Sequence, residues 1–316
     1  MKALYFEEHG EREVLQYGDL PDLENKENHV LIKVEACALN HSDVWIRKGW
    51  PGLNLAMPHI GGSDVSGNIV VGNGSWKEGD KVVVDPGISS TEDSWTEKGL
   101  DSMSPGYKIL GEHISGGCAE YVSVPVENVH KRPEALTASQ AAAPLLAGLT
   151  AYRMLVTRAK IQKGDNVLVM GSGGGVNSLS VQIAKHFGAE VHVVAGGAKK
   201  KSKAEDLGAS FVVDNVGKPT WSRSIKLAGI GGRIVTVGNT KGPIAETDIR
   251  YLFAKQLSIL GSTMGSHAEF AELLKLMDSG AIKPVIYCEI PLSEGVRGHE
   301  ILEEGTMFGK VVLVPD

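Results

Sequence analysis

A continuous apolar run, a cluster of glycines and a helical pattern follow one another in the second half of this chain. Asn166–Met170 reads NVLVM, as expected of a strand that is buried on both faces. The segment GSGGGVN comes next, apolar residues at helical spacing continue over Ser178–Phe187, and Glu190–Ala195 has the pattern of a second strand. This order predicts a βαβ unit and therefore an α/β fold with a parallel sheet.

The glycine segment has the chemistry of a phosphate-binding turn. Without Cβ atoms, the backbone N–H groups at a helix N-terminus can come close to the pyrophosphate of a dinucleotide. A glycine-rich turn without a ligand is the alternative, but a position inside a βαβ unit favours cofactor binding. Asn177 replaces the usual third small residue, and its bulk predicts a wider separation of helix and strand. The predicted cofactor contacts in this turn are Gly171, Ser172, Gly173, Gly174, Gly175 and Val176.

The residues after the second strand indicate which dinucleotide binds. NAD sites usually place an acidic residue there, which binds the ribose 2′-OH. This chain has AGGA at 195–198, followed by three lysines. A missing carboxylate together with added cations suits a 2′-phosphate and favours NADPH, with Gly196, Lys199 and Lys200 as contacts. Lysines at the solvated start of a helix are the alternative.

Composition and charge narrow the function classes. The net charge of −6 argues against a nucleic-acid partner, which usually needs a basic face. No apolar window is long enough for a transmembrane helix, and the N-terminus lacks the apolar core of a signal peptide. Three widely spaced cysteines suggest reduced thiols in a cytoplasmic protein.

Six segments spread over nearly the whole chain carry a resemblance to a known family: ACALNHSDVWIRKG (36–49), PHIGGSDVSG (58–67), YKILGEHISGGCAEYVSVP (107–125), PLLAGLTAYRML (144–155), QLSILGSTM (256–264) and MFGKVVL (307–313). In this order and spacing they resemble the medium-chain dehydrogenase/reductase family, in its alcohol dehydrogenase-like and quinone oxidoreductase-like branches. The resemblance implies a β-rich GroES-like catalytic domain (1–148 and 265–316) and a Rossmann domain with a doubly wound parallel sheet (149–264). Nicotinamide and substrate are expected in the cleft between them.

The resemblance also indicates where family members hold a catalytic zinc ion. Those positions contain Asn40, Ser63 and, near the third, Leu146, none of which is a good zinc ligand. We therefore expect no metal there. An improvised site built from neighbouring polar residues is the alternative: His41, Asp43, His59 and Asp64.

The lobe that carries a structural zinc ion in family members has also lost its ligands. Four cysteines spaced three, three and eight apart correspond here to Ser90, Asp93, Thr96 and Ser104. Hydroxyls and one carboxylate do not replace four thiolates for this borderline-soft ion. The lobe keeps its length, and we expect it to hold no metal.

The Rossmann segment is shorter than the resemblance implies. Family members place about thirty more residues, with a strand and a helix of their own, between the parts that resemble GASFVVD (208–214) and DNVGKPTW (214–221). Either an outer strand and its helix are missing, or the sequence omits a segment. A missing outer strand predicts an exposed sheet edge at the second strand.

Without a metal, conjugate reduction is the accessible hydride chemistry. Hydride goes to the β-carbon of an enone or quinone, and hydrogen-bond donors stabilise the charge that develops on a distant oxygen. The resemblance assigns Asn40 to the position facing the nicotinamide and Ser42 to the proton-relay hydroxyl, so both are candidate catalytic residues. Asp43 and Asp64 are expected to hold structure through Arg47 or backbone amides. Four further cofactor contacts follow from the resemblance or from strand ends: Thr150 before a helix, Asn239, Ser262, and Lys310 at the pyrophosphate.

The sequence thus favours a zinc-independent, NADPH-dependent reductase of quinones or other α,β-unsaturated carbonyls. Three alternatives stay open: an enoyl-thioester reductase of the acryloyl-CoA type, an alcohol dehydrogenase with a non-standard metal site, and a nucleotide-binding protein without turnover. Gln256–Gly261 resembles a sheet-edge strand that pairs across a two-fold axis, which implies a homodimer or homotetramer.

Overall fold

The computed structural model describes residues 1–24, 26–89, 92–171, 173–194 and 209–316. The expectations for Ser90, Ser172, Gly196, Lys199 and Lys200 therefore lie outside the described residues. The contacts divide the chain into two units. Unit 1 contains Met1–Leu146, Ser266–Asp278 and Pro284–Asp316, and unit 2 contains Ala147–Gly265 and Ser279–Lys283.

Twelve strands of the described residues lie in unit 1 and five in unit 2. In chain order they are β1 (Lys2–Phe6), β2 (Gln16–Asp19), β3 (His29–Ala38), β4 (His59–Ile60), β5 (Asp64–Val71), β6 (Lys81–Val84), β7 (Gly87–Ser89), β8 (Tyr107–Ile109), β9 (Tyr121–Pro125), β10 (Val129–Lys131), β11 (Asn166–Met170), β12 (Glu190–Val194), β13 (Ala209–Asp214), β14 (Ala228–Thr236), β15 (Ser258–Gly261), β16 (Ile286–Pro291) and β17 (Lys310–Val314).

The described helices connect these strands and cover the sheets. They are α1 (His41–Lys48), α2 (Ala138–Ala142), α3 (Leu145–Tyr152), α4 (Gly175–His186), α5 (Lys218–Leu227), α6 (Ile249–Ala254), α7 (His267–Asp278) and α8 (Gly295–Glu304). A π-helical stretch, Arg153–Arg158, continues α3, and short 3₁₀ turns occupy Arg12–Val14, Thr96–Lys98, Asp101–Met103, Val126–Asn128 and Leu292–Glu294. None of the helices in the described ranges is long and apolar enough to cross a membrane.

Unit 1 is built on a seven-stranded sheet. Its strands run in the order β10-β6-β5-β3-β17-β16, and β9 also pairs with β3. The central strand β3 alternates along HVLIKVEACA, so that Val30, Ile32 and Val34 enter the hydrophobic core while Lys33 is exposed. This β-rich architecture agrees with the expected GroES-like domain.

Unit 2 contains the parallel sheet that the βαβ pattern predicts. All five strands are parallel, in the order β12-β11-β13-β14-β15. The apolar run Asn166–Met170 is β11, which has a neighbouring strand on each side, and four of its five residues are buried. The α/β fold with a Rossmann-like sheet is therefore confirmed.

The shortened segment is resolved as one strand where the resemblance implies two. In the described part of the chain, Ala209–Asp214 forms β13, which pairs with both β11 and β14 at the centre of the sheet. The FVVD residues thus occupy the inner position, and β12 is left as an edge strand of this sheet, with Val193 38% exposed. Losing an outer strand preserves the hydrogen-bonded middle of a doubly wound sheet, because the inner strands keep both neighbours.

Candidate functional site

Asp64 is the centre of a buried polar cluster in unit 1. Its carboxylate has no solvent exposure. Oδ1 accepts a hydrogen bond from the Leu146 backbone N–H at 2.6 Å, and Oδ2 accepts from Asn40 Nδ2 and from Lys310 Nζ, each at 3.0 Å. Lys310 Nζ also donates to Asn40 Oδ1. We call Asn40, Asp64 and Lys310 the polar triad.

Strand pairing brings the polar triad together. Asn40 lies two residues after the end of β3, Asp64 begins β5 and Lys310 begins β17. Because β3 lies between β5 and β17, the register places Ala38 opposite both Asp64 and Val312. The three side chains therefore meet at one end of three neighbouring strands, although they are far apart in the sequence.

Asp43 is a second buried carboxylate beside the triad. Its Oδ2 accepts from the Asn40 backbone N–H at 2.7 Å and its Oδ1 from the Gly62 N–H at 2.9 Å. The expectation that Asp43 and Asp64 hold structure through backbone amides thus agrees with the geometry. Arg47 is not their partner, because its Nη2 binds Glu303 Oε1 at 2.7 Å.

Burial raises the pKa of Asp43 to about 6, and the charge of Asp64 acts in the same direction, while the two backbone N–H groups and Lys310 oppose it. The folded state therefore favours the protonated carboxyl. The stability that this contributes is present below pH 4 and is lost as the pH rises to about 6. The loss amounts to about 3 kcal/mol of the free energy of unfolding.

We expect the carboxyl ¹³C resonance of Asp43 to titrate near pH 6 in the folded protein, two pH units above an ordinary aspartate. The Asp43→Asn variant assigns the resonance. A midpoint at or below pH 4 would contradict this prediction, because it would mean that the two N–H donors outweigh burial.

Two serine hydroxyls near the cluster are buried and have no hydrogen-bond partner within the described part of the chain. One is Ser42 Oγ, in the first turn of α1, and the other is Ser63 Oγ, which directly precedes Asp64. Buried hydroxyls without a partner are costly. They are therefore available as donors to a bound molecule.

In unit 2, the glycine turn leads from β11 into α4 as predicted. Gly171 and Gly174 have φ values of +102° and +78°, which glycine adopts readily and other residues do not. Gly174 is the N-cap of α4, and the first N–H groups of a helix, here those of Gly175 and Val176, have no partner within the helix. Together with the helix dipole, they suit a phosphate.

Asn177 links α4 to β11, although its bulk alone predicts a wider separation. The side chain is buried, and its Nδ2 donates to the Met170 carbonyl at 3.2 Å. It lies over Gly171, where an added Cβ would approach that nitrogen to 2.8 Å. The two positions are therefore complementary: the glycine makes room for the asparagine.

The remaining predicted cofactor contacts differ in their surroundings. Thr150 is buried inside α3 and not before a helix, so its predicted placement is wrong. Asn239 follows β14, and Ser262 follows β15 with its Oγ buried and unpaired within the described ranges. Lys310 is bound to Asp64 and Asn40, so a pyrophosphate contact would require its ammonium group to leave them. Gly173 lies in the turn itself.

Two family models match this chain, one in each half of the sequence. The model of the alcohol dehydrogenase GroES-like domain matches residues 26–134, and that of the zinc-binding dehydrogenase domain matches residues 188–313. The quinone oxidoreductase of Homo sapiens is 32% identical over 349 residues, with 99% of this chain and 98% of that protein covered. The chain belongs to the medium-chain dehydrogenase/reductase family. It is thus an oxidoreductase by family.

Family relatives with different substrates match equally widely. An acryloyl-coenzyme A reductase of Sulfurisphaera tokodaii is 28% identical, with 97% of this chain and 98% of that protein covered. A crystal structure of an NAD-dependent alcohol dehydrogenase is 38% identical, with a TM-score of 0.92 and 100% of both chains covered. The alignment with the human enzyme is 33 positions longer than the 316 residues of this chain, in keeping with the shortened sheet.

The family often uses a catalytic zinc ion, and the donor chemistry here does not fit one. The three expected ligand positions converge on Asp64, since Asn40 binds it, Ser63 precedes it and the Leu146 N–H donates to it. An amide, a hydroxyl and an apolar side chain are poor zinc ligands, and the Lys310 ammonium beside them repels a divalent cation. No group of three His, Cys, Asp or Glu side chains in the described ranges is arranged to hold a metal.

The lobe that binds structural zinc in other family members is held here by hydrogen bonds. Asp93 Oδ1 accepts from the N–H groups of Trp95 (2.7 Å) and Thr96 (3.1 Å), and Oδ2 accepts from Ser104 Oγ at 2.6 Å. Thr96 Oγ1 accepts from the Asp93 N–H at 2.9 Å. Three of the four positions that correspond to cysteines are therefore bonded to one another directly.

Sequence reasoning missed two features of the site. It took Asp64 as a local structural residue and Lys310 as a cofactor contact, whereas they form one ion pair across 246 residues. It also missed the pair between His267 Nδ1 and Asp85 Oδ2, at 2.7 Å, which raises the pKa of His267 and ties α7 to the residue after β6. The first pair depends on the register of the seven-stranded sheet and the second on the position of α7 within unit 1, and a single sequence provides neither.

Proposed function

We propose that this protein is a zinc-independent, NADPH-dependent reductase of quinones or other α,β-unsaturated carbonyls. The polar triad carries this proposal, because it places N–H donors where metal-dependent relatives need ligands. Donors stabilise an oxyanion, but they polarise an isolated ketone less strongly than a Lewis acid does. Conjugate reduction is therefore the reaction that suits this chemistry best.

The nicotinamide cofactor supplies the hydride when it is bound. The N–H groups of Gly175 and Val176 at the start of α4 would hold its pyrophosphate, and Ser262 Oγ offers a further donor. Asn40 Nδ2 uses one hydrogen on Asp64 and has a second one for the oxygen on which negative charge develops. Ser42 Oγ, buried and unpaired in the described structure, would pass the proton.

The preference for NADPH is supported by the sequence after β12, where 195–203 contains four lysines and no carboxylate. Exchange of both Lys199 and Lys200 for alanine is expected to raise the Kd for NADPH about tenfold or more, and to leave the Kd for NADH nearly unchanged. Fluorescence titration with both nucleotides measures this. Equal effects on both, or tighter binding of NADH by the wild type, would assign the cofactor to NAD.

The proposed reaction is tested on chelator-treated protein with NADPH and a simple quinone in one cuvette. Turnover that survives chelation and is not raised by added Zn²⁺ supports the proposal. Turnover of acryloyl-CoA in preference to the quinone would assign the second candidate, which the acryloyl-coenzyme A reductase relative favours. Restoration of activity by Zn²⁺ alone would assign an improvised metal site. NADPH binding without any turnover would leave a binding protein.

A homodimer or homotetramer is part of the proposal. β15 is an edge strand of the parallel sheet, and apolar side chains near it are exposed, with Ile249 at 67%, Phe253 at 71% and Ile259 at 39%. Exposed apolar edges favour pairing with a second copy. A cytoplasmic location and the absence of nucleic-acid and membrane partners stay predictions.

We expect light scattering to give at least twice the chain mass of 33.6 kDa for the wild type, and the single-chain mass for Ile259→Lys. Met103→Lys, at an exposed apolar residue of unit 1, is the control and should leave the mass unchanged. A monomeric wild type would overturn the assignment of this edge to a second copy.

A further inference from the structure

Lys310 is a buried lysine that has no role of its own in the proposed mechanism. Only 4% of its surface is exposed, and its ammonium group donates to Asn40 Oδ1 and Asp64 Oδ2. Lysine is almost never buried to this degree without a partner, because its charge must be compensated. Its two partners are both members of the polar triad, which makes its position in the site specific.

The hydrogen-bonding types in the polar triad fix the orientation of Asn40. A lysine ammonium has donors only, and an ionised carboxylate has acceptors only. The carboxamide of Asn40 lies between them, so its oxygen faces Lys310 and its nitrogen faces Asp64. The opposite orientation would set donor against donor and acceptor against acceptor. Lys310 and Asp64 together thus fix which end of the Asn40 amide is the donor end.

Resting on the proposed function, we propose that Lys310 is a positioning residue of the reductase site. By holding Asn40 Oδ1 while Asp64 holds one Nδ2 hydrogen, it directs the second Nδ2 hydrogen of Asn40 to the oxygen that becomes negative during conjugate reduction. An amide whose oxygen accepts from a cation is polarised, and this polarisation strengthens its N–H groups as donors. Lys310 therefore acts through Asn40 and not as a cofactor anchor.

The first variant is Lys310→Met, which keeps the length of the side chain and removes its charge. We expect kcat for the quinone to fall about 100-fold, as on loss of an oxyanion donor, and the Kd for NADPH to stay within about twofold. Lys275→Met is the matched control, since Lys275 forms an exposed pair with Glu272 on α7. It should change neither quantity.

Lys310→Met leaves the buried Asp64 carboxylate without its cation and could fail to fold, so a second variant is needed. Lys310→Met combined with Asp64→Asn removes both charges and leaves the net charge of the triad unchanged. If the new carboxamide still accepts from the Leu146 N–H, its nitrogen faces Asn40, whose amide must then turn round. Activity should stay about 100-fold down although the folded protein binds NADPH normally.

The resonances of the Asn40 side-chain amide, assigned with Asn40→Asp, test the positioning without turnover. In the protein free of cofactor, Lys310→Met or the double variant should move the ¹H and ¹⁵N shifts of this amide, and Lys275→Met should not. Unmoved resonances would overturn the inference. A tenfold rise in the Kd for NADPH with unchanged kcat would also overturn it and make Lys310 a phosphate contact.

If the wild type binds NADPH but reduces no enone or quinone, the proposed function fails, while the amide resonances still decide whether Lys310 orients Asn40.

Discussion

Replacement of Asp64 by alanine is expected to destabilise the protein by about 3–5 kcal/mol, the usual result of removing one partner of a buried ion pair. The change leaves the Lys310 ammonium without its anion in a site where 4% of the residue is exposed. It also removes the acceptor of the Leu146 N–H and of Asn40 Nδ2. Because native proteins are stable by only about 5–15 kcal/mol, this loss is a large part of the total.

Urea unfolding followed by tryptophan fluorescence measures the effect, since four of the five tryptophans, at positions 45, 50, 76 and 95, lie in unit 1. The control is Glu272→Ala, which breaks the exposed pair with Lys275. Surface pairs contribute little, so its midpoint should barely move. Equal midpoints for the two variants would mean that water or another anion compensates Lys310, and that the polar triad is not a stability element.

The same cluster shows where a sequence is informative and where it is not. The βαβ unit was predictable, because the apolar run of β11, the glycine turn and the helical spacing of α4 are local patterns that no tertiary contact overrides. Asn40 was identifiable as a candidate site residue from the motif around it. Its partners were not, since Asp64 and Lys310 reach it only through the pairing of β3 with β5 and β17.

The zinc positions give a similar result. The loss of ligands at Asn40 and Ser63 follows from side-chain chemistry alone. What replaces the metal does not, because the compensating groups come from elsewhere in the chain. Lys310 supplies a positive charge at one position, and the hydrogen bonds of Asp93 with Thr96 and Ser104 close the lobe at the other. The absence of zinc ligands can be recognised from a local motif. The groups that compensate for the missing ion can be identified only from the register of the sheet and the path of the lobe.

The shortened Rossmann segment contains a run of residues whose strand the sequence alone does not identify. From the sequence, Phe211–Asp214 could belong to an outer strand or to the next inner one. The structure assigns it to the inner strand, where it pairs on both sides and where Asp214 caps the following turn through the N–H groups of Val216 and Gly217. A strand with two partners gains more hydrogen bonds and more burial than an edge strand, so the inner position is preferred.

Gly174 should affect cofactor binding directly, and not only through the stability of its turn. Alanine there is expected to raise the Kd for NADPH about 10- to 100-fold, a loss of about 1.4–2.8 kcal/mol. Gly174 has φ +78° and ψ 164°, a region that is close to exclusive to glycine, and an added Cβ meets no atom of the described residues within 4 Å. It would instead project into the open space beside the N–H groups of Gly175 and Val176, where a pyrophosphate would lie.

Gly164 provides the matched control, because it also lies in unit 2, has φ +86° and, among the residues that the structure describes, has no atom within 4 Å of an added Cβ. Gly164→Ala introduces comparable backbone strain in the turn before β11, remote in sequence from the start of α4. Thermal unfolding of both variants should show similar losses, while only Gly174→Ala weakens NADPH binding in fluorescence titration. If both variants weaken binding alike, the effect is one of stability. The N-terminus of α4 would then not be the phosphate site, and the reductase proposal would lose its cofactor anchor.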